Sequence, residues 1–178
     1  MIRVAVSGAG GNLAGPIIDG ILAADDLELT TLYNPNRAGR EMEGTIISGD
    51  LKAVAADVVV ETAHPDVVFT NLEAWRDAGM TAVVGTSGFT PERLEQLREM
   101  WGNDKPCLVV PNFSIGATLM MRFAAESAGH FEAIEVIERH HSTKPDAPSG
   151  TALATAMGIS ENGGGSSDIS QEIVPGSR

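Results

Sequence analysis

The stretch Ile2–Ala14, IRVAVSGAGGNLA, determines the fold that the sequence predicts. Residues 2–7 are rich in apolar and β-branched side chains, the pattern of a buried strand. Glycines follow at positions 8, 10 and 11, and the apolar spacing after them predicts a helix over about 12–24. Gly8, Gly11 and Ala14 match G-x-x-G-x-x-[GA], and Gly10 also fits the G-x-G form. Such a strand, glycine turn and helix bring a pyrophosphate to the free amides of a helix N-terminus.

A glycine-rich turn without any ligand is the alternative, and the residues that follow favour the dinucleotide-binding fold. Apolar runs predict further strands over 27–33, 57–61, 80–87 and 106–111, while residues 34–44 are typical of a loop. Helices are predicted over 65–79 and 90–101, with Thr90 as N-cap and Pro91 in the first turn. Strands that alternate with helices predict an α/β, Rossmann-like fold, whose parallel sheet is covered on both faces.

Beyond Pro111 the pattern changes. A helix is predicted over 114–131, a strand over 132–141 from its alternating side chains, and a second helix from Ser149. The residues from Gly163 onward are polar, rich in glycine and without period, which is typical of a loop or of disorder.

Composition limits the function. The net charge of −12 argues against generic binding to nucleic acid or to an anionic membrane. One cysteine cannot form an internal disulfide, and neither a signal peptide nor an apolar run of about 20 residues is visible. We therefore expect a cytoplasmic protein with no nucleic-acid or membrane partner.

The end of the second predicted strand bears on the choice of nucleotide. An acidic residue there would bind the adenine ribose, but the sequence has Asn34, and Arg37 follows. This favours NADPH, or use of both NADPH and NADH, over NADH alone; a turn at Asn34 with a solvated Arg37 is the alternative. The loops Gly85–Phe89 and Val110–Ser114 follow two later strands, where such loops line the ligand crevice or merely connect elements.

The segment ERHHSTKPDAPSGTA, residues 138–152, concentrates polar and cationic groups. Adjacent histidines of an extended strand point to opposite faces, which disfavours a metal site, and Ser149 lacks the G-x-S-x-G context of a nucleophile. Lys144, with a helix N-terminus at Gly150 and Thr151, would instead hold a carboxylate, while a histidine exchanges a proton. This predicts reduction of a carboxylated C=N or C=C bond. A loop with an ordinary helix cap and surface histidines is the other possibility.

The segment EVIERHHSTKPDAPSGTA resembles the characteristic motif of the dihydrodipicolinate reductase family, and SGAGGNLA, GTSGF and PNFSIGA resemble that family in the same order. The resemblance implies reduction of 4-hydroxy-tetrahydrodipicolinate by NADPH or NADH in lysine and diaminopimelate synthesis, usually by a homotetramer, with a small dicarboxylate as substrate. It implies His140 and Lys144 as catalytic residues. The substrate-contacting positions are His141, Gly150 and Thr151. The cofactor-contacting positions are Gly8, Ala9, Gly10, Gly11, Asn12, Leu13, Gly85, Thr86, Ser87, Val110, Pro111, Asn112 and Phe113.

The sequence departs from the family in three places. Asn12 replaces a usual Arg or Lys, and VETAHP, residues 60–65, replaces Val-Asp-Phe-Thr-x-Pro. The chain also ends at Arg178, whereas family members continue through most of the substrate domain's sheet, so the strand carrying His140 would lack neighbours. We therefore expect a nucleotide-binding domain over 1–112 and an incomplete α+β substrate domain over 113–178, with a flexible tail from about 160.

Two hypotheses from different classes follow. The chain is the reductase, or a fragment of a longer reductase; or it is a dinucleotide-binding module that is inactive because its substrate domain is truncated. A relative of homoserine or aspartate dehydrogenase is a weaker third, which HHSTKPDAPSGT, residues 140–151, argues against.

Overall fold

The computed structural model describes residues 1–140, 142 and 147–164. The chain divides between Pro111 and Asn112 into two compact units. The first unit contains all seven strands that the described residues form. They are β1 (Ile2–Ser7), β2 (Leu27–Tyr33), β3 (Glu41–Met42), β4 (Thr45–Ser48), β5 (Val58–Glu61), β6 (Thr81–Val84) and β7 (Cys107–Val109).

The seven strands form one sheet in the order β3-β4-β2-β1-β5-β6-β7. Every pair is parallel except β3 with β4. The chain adds β2 and β4 on one side of β1, and then β5, β6 and β7 on the other. The order therefore reverses direction at β1, and in such sheets the crevice at the carboxyl ends of the strands binds ligands. The predicted α/β, Rossmann-like parallel sheet is confirmed.

The loop predicted over 34–44 is wrong in its second half, where β3 and β4 form an antiparallel hairpin. Glu43 and Gly44 connect them, with φ angles of 47° and 72°. Positive φ at both central residues is typical of the tight turn whose twist suits a hairpin. The first half is also ordered, as a short 3₁₀ turn over Pro35–Arg37 that the Asn34 side chain caps. Hydrophobic periodicity does not detect strands as short as β3, since two residues define no alternation.

Three helices cover the sheet: α1 (Ala14–Leu22), α2 (Val68–Asp77) and α3 (Pro91–Trp101). Helix α1 is shorter than the predicted 12–24. Thr90 caps α3, as predicted, by accepting a hydrogen bond of 3.3 Å from the Arg93 amide. Buried side chains form a separate cluster on each face of the sheet, one around Trp75 and Leu72 and the other around Ile18. Burial of both faces explains why the central strands β1, β5 and β6 are largely apolar runs.

The second unit contains helices α4 (Ile115–Ser127) and α5 (Gly150–Glu161), both of which the sequence predicts. The strand predicted over 132–141 is wrong for residues 132–140, which form neither helix nor strand. A strand requires a neighbour for its backbone hydrogen bonds, and the described part of this unit contains none. Helix α5 extends past position 160, and most of the predicted flexible tail, residues 165–178, lies outside the described residues. Within the described ranges, no helix has the length and apolar character needed to cross a bilayer.

Candidate functional site

The turn between β1 and α1 forms the predicted glycine loop. Gly8 and Gly10 have φ angles of 85° and 80°, a conformation that other residues rarely adopt. The amides of Gly8 and Ala9 both donate to the Tyr33 carbonyl, at 2.9 and 3.1 Å. A Cβ atom on Gly8 would lie 2.7 Å from both the carbonyl carbon and Oγ1 of Thr62. Glycine is thus required at position 8 by the backbone conformation and by the close approach of the β5 end.

Several amides of this loop are available to a ligand. The Gly11 amide donates to the Gly8 carbonyl at 3.0 Å. By contrast, the amides of Gly10, Asn12 and Leu13 donate to no described residue. Leu13 is the N-cap of α1, and Gly10 and Asn12 lie in the loop just before it. Unpaired N–H groups and the helix dipole at such a site attract an anion. The side chain of Asn12 adds no charge to these backbone groups.

Asn34 and Arg37 lie beside this loop, as their position after β2 predicts. The Asn34 amide group donates to the Ala9 carbonyl at 2.8 Å, and its oxygen accepts from the Asn36 amide at 3.0 Å. Asn34 therefore fixes the loop to the end of β2. A Cβ on Gly10 would lie 2.7 Å from Cδ and 2.9 Å from Nη1 of Arg37, so this guanidinium lies against the loop backbone. Arg37 is exposed, so its guanidinium is accessible to an anion.

The Gly85–Ser87 loop lies beside the end of β5. The Gly85 amide donates to the Glu61 carbonyl at 2.8 Å, and Thr86 Oγ1 donates to the Ala63 carbonyl at 2.8 Å. The Thr86 side chain is buried, and its hydrogen bond connects this loop to the loop after β5. Ser87, by contrast, is exposed. Of this predicted cofactor-contacting trio, Ser87 presents its side chain to solvent.

Glu61, at the end of β5, is a buried acid that the sequence analysis missed. Its two carboxyl oxygens accept hydrogen bonds of 2.8 Å from the Trp75 indole and the Ala63 amide. Burial raises the pKa of Glu61 above its ordinary value, and these hydrogen bonds offset part of that effect. Position 61 belongs to VETAHP, one of the three departures from the family pattern. The sequence around Glu61 does not show that this side chain is buried, because burial depends on how other parts of the fold, such as Trp75, pack around it.

Arg93 is a second residue that the sequence did not single out. Its guanidinium donates to the carbonyls of Gly88, at 3.1 Å, and Pro65, at 2.9 Å. It also lies 5.0 Å from the ring centroid of Phe69 and 5.5 Å from that of Phe89. Arg93 thus holds together the loops that follow β5 and β6, on the edge where the glycine loop lies.

The Val110–Phe113 segment crosses the division between the two units. The Val110 amide donates to the Val84 carbonyl at 2.8 Å, which extends the pairing of β6 with β7. The Asn112 oxygen accepts from the Ser114 amide at 2.7 Å, and its amide group donates to Thr151 Oγ1 at 2.9 Å. The structure therefore joins a predicted cofactor-contacting residue to a predicted substrate-contacting one. Pro111 and Phe113 are exposed.

The sequence predicts an anion site at the N-terminus of α5. Ser149 caps the helix, accepting a hydrogen bond of 3.1 Å from the Ala152 amide. The amides of Gly150 and Thr151 donate to no described residue. A Cβ on Gly150 would meet no atom within 4 Å, so the space beside it is open. Two helix amides beside an open approach can bind a carboxylate.

His140 is connected to the start of α5 by the side chain of Glu138. Its Nε2 is 2.8 Å from Glu138 Oε2, and Glu138 in turn accepts from the Ser149 amide at 2.9 Å. Among the candidate residues, His141 and Lys144 lie outside the described part of the chain. In the described ranges, no group of three or more His, Cys, Asp or Glu residues is placed to hold a metal.

Comparison with known proteins is consistent with this geometry. The family described as "Dihydrodipicolinate reductase, N-terminus" matches residues 2–113, and "Dihydrodipicolinate reductase, C-terminus" matches residues 116–175. The chain belongs to the dihydrodipicolinate reductase family. The earlier resemblance is confirmed, and the third hypothesis, a homoserine or aspartate dehydrogenase relative, is set aside.

Two relatives within the family are 46% and 38% identical to this chain. A 4-hydroxy-tetrahydrodipicolinate reductase of Mycolicibacterium vanbaalenii is 46% identical over 163 residues, which cover 90% of this chain and 62% of the relative. The Streptococcus uberis enzyme of that name is 38% identical over 188 residues, covering 99% of this chain and 72% of its own. The chain therefore spans about 62% of the length of its mycobacterial relatives.

A solved structure extends the likeness to three dimensions. Dipicolinate-bound dihydrodipicolinate reductase from Paenisporosarcina sp. TG-14 is 31% identical, with a TM-score of 0.73. The match covers 100% of this chain and 74% of the Paenisporosarcina chain. Both units of the chain therefore have counterparts in a dihydrodipicolinate reductase.

Proposed function

We propose that this chain reduces 4-hydroxy-tetrahydrodipicolinate to tetrahydrodipicolinate with NADPH or NADH, in lysine and diaminopimelate synthesis. The observation that carries the proposal is the glycine loop: Gly8 packs directly on Thr62 and leaves the amides of Gly10, Asn12 and Leu13 open at a helix N-terminus. Membership of the reductase family supports the specific reaction.

The first unit would hold the cofactor. The open loop amides would bind its pyrophosphate, and Arg37 would bind the 2′-phosphate of NADPH or leave room for NADH. Asn34 and Arg93 would keep the surrounding loops in place. When bound, the reduced nicotinamide supplies a hydride to the substrate. The remaining proposed cofactor contacts are Gly8, Ala9, Gly11, Gly85, Thr86, Ser87, Val110, Pro111, Asn112 and Phe113.

The second unit would hold the substrate. The amides of Gly150 and Thr151 would donate to a substrate carboxylate, at the positive end of the α5 dipole. Lys144 and His141 would complete the anion site, and His140 and Lys144 would exchange protons with the substrate during reduction. These roles follow the family resemblance. Dipicolinate, bound in the Paenisporosarcina relative, is a dicarboxylate of the expected kind.

The domain, assembly and location proposals follow the same resemblance. The first domain would cover residues 1–112, and a partial substrate domain would cover residues 113–178. The reductase would be a cytoplasmic homotetramer, without nucleic-acid or membrane partners. Light scattering would test the homotetramer, and cell fractionation would test the cytoplasmic location.

A second candidate is a dinucleotide-binding module without turnover. One observation favours it: residues 132–140 pair with no strand in the described part of the chain. In that case cofactor would bind as proposed, without turnover of the substrate.

One experiment separates the two candidates. Substrate is generated from pyruvate and aspartate semialdehyde with a synthase, and loss of NADPH or NADH absorbance is followed in the presence of this chain. Substrate-dependent oxidation supports the reductase. Cofactor binding without oxidation supports the module, and a chain that binds neither nucleotide contradicts both.

A further inference from the structure

The carboxylate of Glu138 connects His140 to the start of α5. Its Oε1 accepts a hydrogen bond of 2.9 Å from the Ser149 amide, and its Oε2 lies 2.8 Å from Nε2 of His140. Oε2 also lies 3.3 Å from the Ser149 nitrogen. The side chains of Glu138 and His140 are 26% and 38% exposed, so both remain in contact with water while they touch each other.

The charge of Glu138 determines which group supplies the shared proton. Hydrogen bonds from the Ser149 hydroxyl, from His140 and from the Ser149 amide, in that order of effect, lower the pKa of Glu138 to about 2. Glu138 is therefore ionised at neutral pH. A carboxylate only accepts hydrogen bonds, so the proton between the two side chains belongs to Nε2 of His140.

This assignment decides how the imidazole can react. In a neutral ring with its proton on Nε2, the lone pair is on Nδ1. A proton taken up at Nδ1 gives the imidazolium, whose charge Glu138 offsets, and its release restores the neutral Nε2–H ring. The acid stays ionised throughout. A carboxylate that orients a proton-transferring histidine in this way acts through that histidine and does not touch the substrate.

The sequence spacing supports the arrangement. Residues two apart in an extended chain have their side chains on one face, which allows Glu138 to reach His140 across Arg139. Ser149 is nearly buried, with 9% exposure, and it is fixed as the cap of α5. Glu138 therefore connects the His140 imidazole to the start of α5, where the amides of Gly150 and Thr151 are unpaired among the described residues.

We propose that Glu138 is the positioning residue of His140: it holds the ring in the Nε2–H form, with Nδ1 as the proton-exchanging atom, beside the N-terminus of α5. The part that concerns catalysis rests on the proposed reductase function. The hydrogen bond and the form of the ring do not, since they are properties of the folded chain without substrate.

The test is nitrogen-15 NMR of the histidine-labelled chain, with the His140 signals assigned from a His140→Gln variant. Spectra are taken at a pH at which that ring is neutral. We expect an Nε2–H proton slowed in its exchange with water, and an unprotonated Nδ1. Glu138→Ala should remove the protected Nε2–H signal, Glu138→Asp should retain part of it, and Glu135→Gln, which removes an exposed acid of the same segment, should leave it unchanged.

Two results would overturn the inference: a His140 ring protonated on Nδ1 in the unmodified chain, or a protected Nε2–H signal that survives Glu138→Ala. Amide signals of α5 serve as the folding check, and Glu138→Asp keeps the test valid if the alanine variant loses the helix start.

Activity separates this inference from the proposed function. If the chain turns over, Glu138→Gln should lower kcat at least about tenfold, as expected for impaired proton transfer, with little change in the affinity for NADPH. If the expected NMR signals appear in a chain without turnover, the reductase proposal fails and the positioning role stands. If turnover occurs without those signals, the positioning role fails alone.

Discussion

The amide group of Asn112 donates a hydrogen bond of 2.9 Å to the hydroxyl of Thr151, across 39 positions of sequence. Asn112 lies three residues before Ile115, the first residue of α4, and Thr151 is the second residue of α5. The contact lies within the second unit and connects the turn before α4 with the helix start proposed to bind substrate.

Asn112→Ala should destabilise the chain by about 1–3 kcal/mol, since the Thr151 hydroxyl and the Ser114 amide both lose a partner. It should also weaken binding of dipicolinate. Asn112→Asp keeps an acceptor for Ser114 but loses the donor to Thr151, so it isolates the second contact. Urea unfolding and calorimetric titration provide the measurements. Asn162→Ala, at the far end of α5, is the control, and an equal loss of dipicolinate affinity there would refute the assignment.

Gly8→Ala should lower the free energy of unfolding by about 1–3 kcal/mol, because of the positive φ and the contact with Thr62. It should also abolish cofactor binding, since relief of the contact displaces the loop amides. Gly20→Ala is the matched control: it lies in α1 and a Cβ there meets nothing within 4 Å. That variant should gain about 0.5–1 kcal/mol and bind normally. A Gly8→Ala chain that binds NADPH as the unmodified chain does would rule out the proposed cradle.

Arg37→Ala should weaken NADPH binding about tenfold, because a charge-assisted contact with the 2′-phosphate is lost. NADH, which lacks that phosphate, should bind almost unchanged. Arg40→Ala, an exposed arginine three residues further on, serves as the control. Fluorescence titration measures the affinity for both nucleotides. An equal loss of affinity for NADPH and NADH would show that Arg37 does not contact the 2′-phosphate.

Glu61 should make stability depend on pH. Because burial raises its pKa in the folded chain, its contribution is fully present below the ordinary glutamate value, about 4.3, and is lost as the pH rises through the raised value. Glu61→Gln cannot titrate, so the fall in unfolding free energy from pH 4.5 upward should become shallower. Urea unfolding monitored by tryptophan fluorescence measures it. Glu73→Gln, exposed on α2, should keep the original slope, and an unchanged slope in Glu61→Gln would show that Glu61 does not ionise in this range.

His140→Ala and Lys144→Ala should depress turnover in an active reductase while the affinity for NADPH stays nearly constant, since both groups are assigned to proton transfer. General acid–base contributions are about 10²–10⁴-fold in rate. His130→Ala controls for loss of an unrelated histidine of the same unit. Parallel loss of cofactor affinity and turnover would assign these residues to the nucleotide site instead.

The centre of the sheet was predictable because β1, β5 and β6 are largely buried apolar runs. The predicted 27–33 matches β2, and Thr90 and Pro91 mark the start of α3 as expected. The β3–β4 hairpin escaped prediction because its recognition depends on the Glu43–Gly44 turn rather than on periodicity. The strand predicted over 132–141 failed for a different reason: alternation shows which face each side chain would take, but it does not provide a neighbouring strand.

The candidate site also contains residues that the sequence predicts and residues that it does not. The glycine loop, Arg37 and the α5 N-terminus follow from local sequence, since turns and caps use particular residue types. Glu61 and Arg93 do not, because their partners come from other loops and helices. Glu138 is intermediate: its spacing from His140 is visible in the sequence, but its bond to Ser149 depends on the path of the chain between them.

Isothermal titration of the purified chain with NADPH and NADH tests the central claim most directly. The glycine loop is expected to bind one nucleotide per chain, and Gly8→Ala is expected to abolish that binding while Gly20→Ala leaves it intact. Absence of binding at millimolar nucleotide, or binding that is indifferent to Gly8→Ala, would contradict the account.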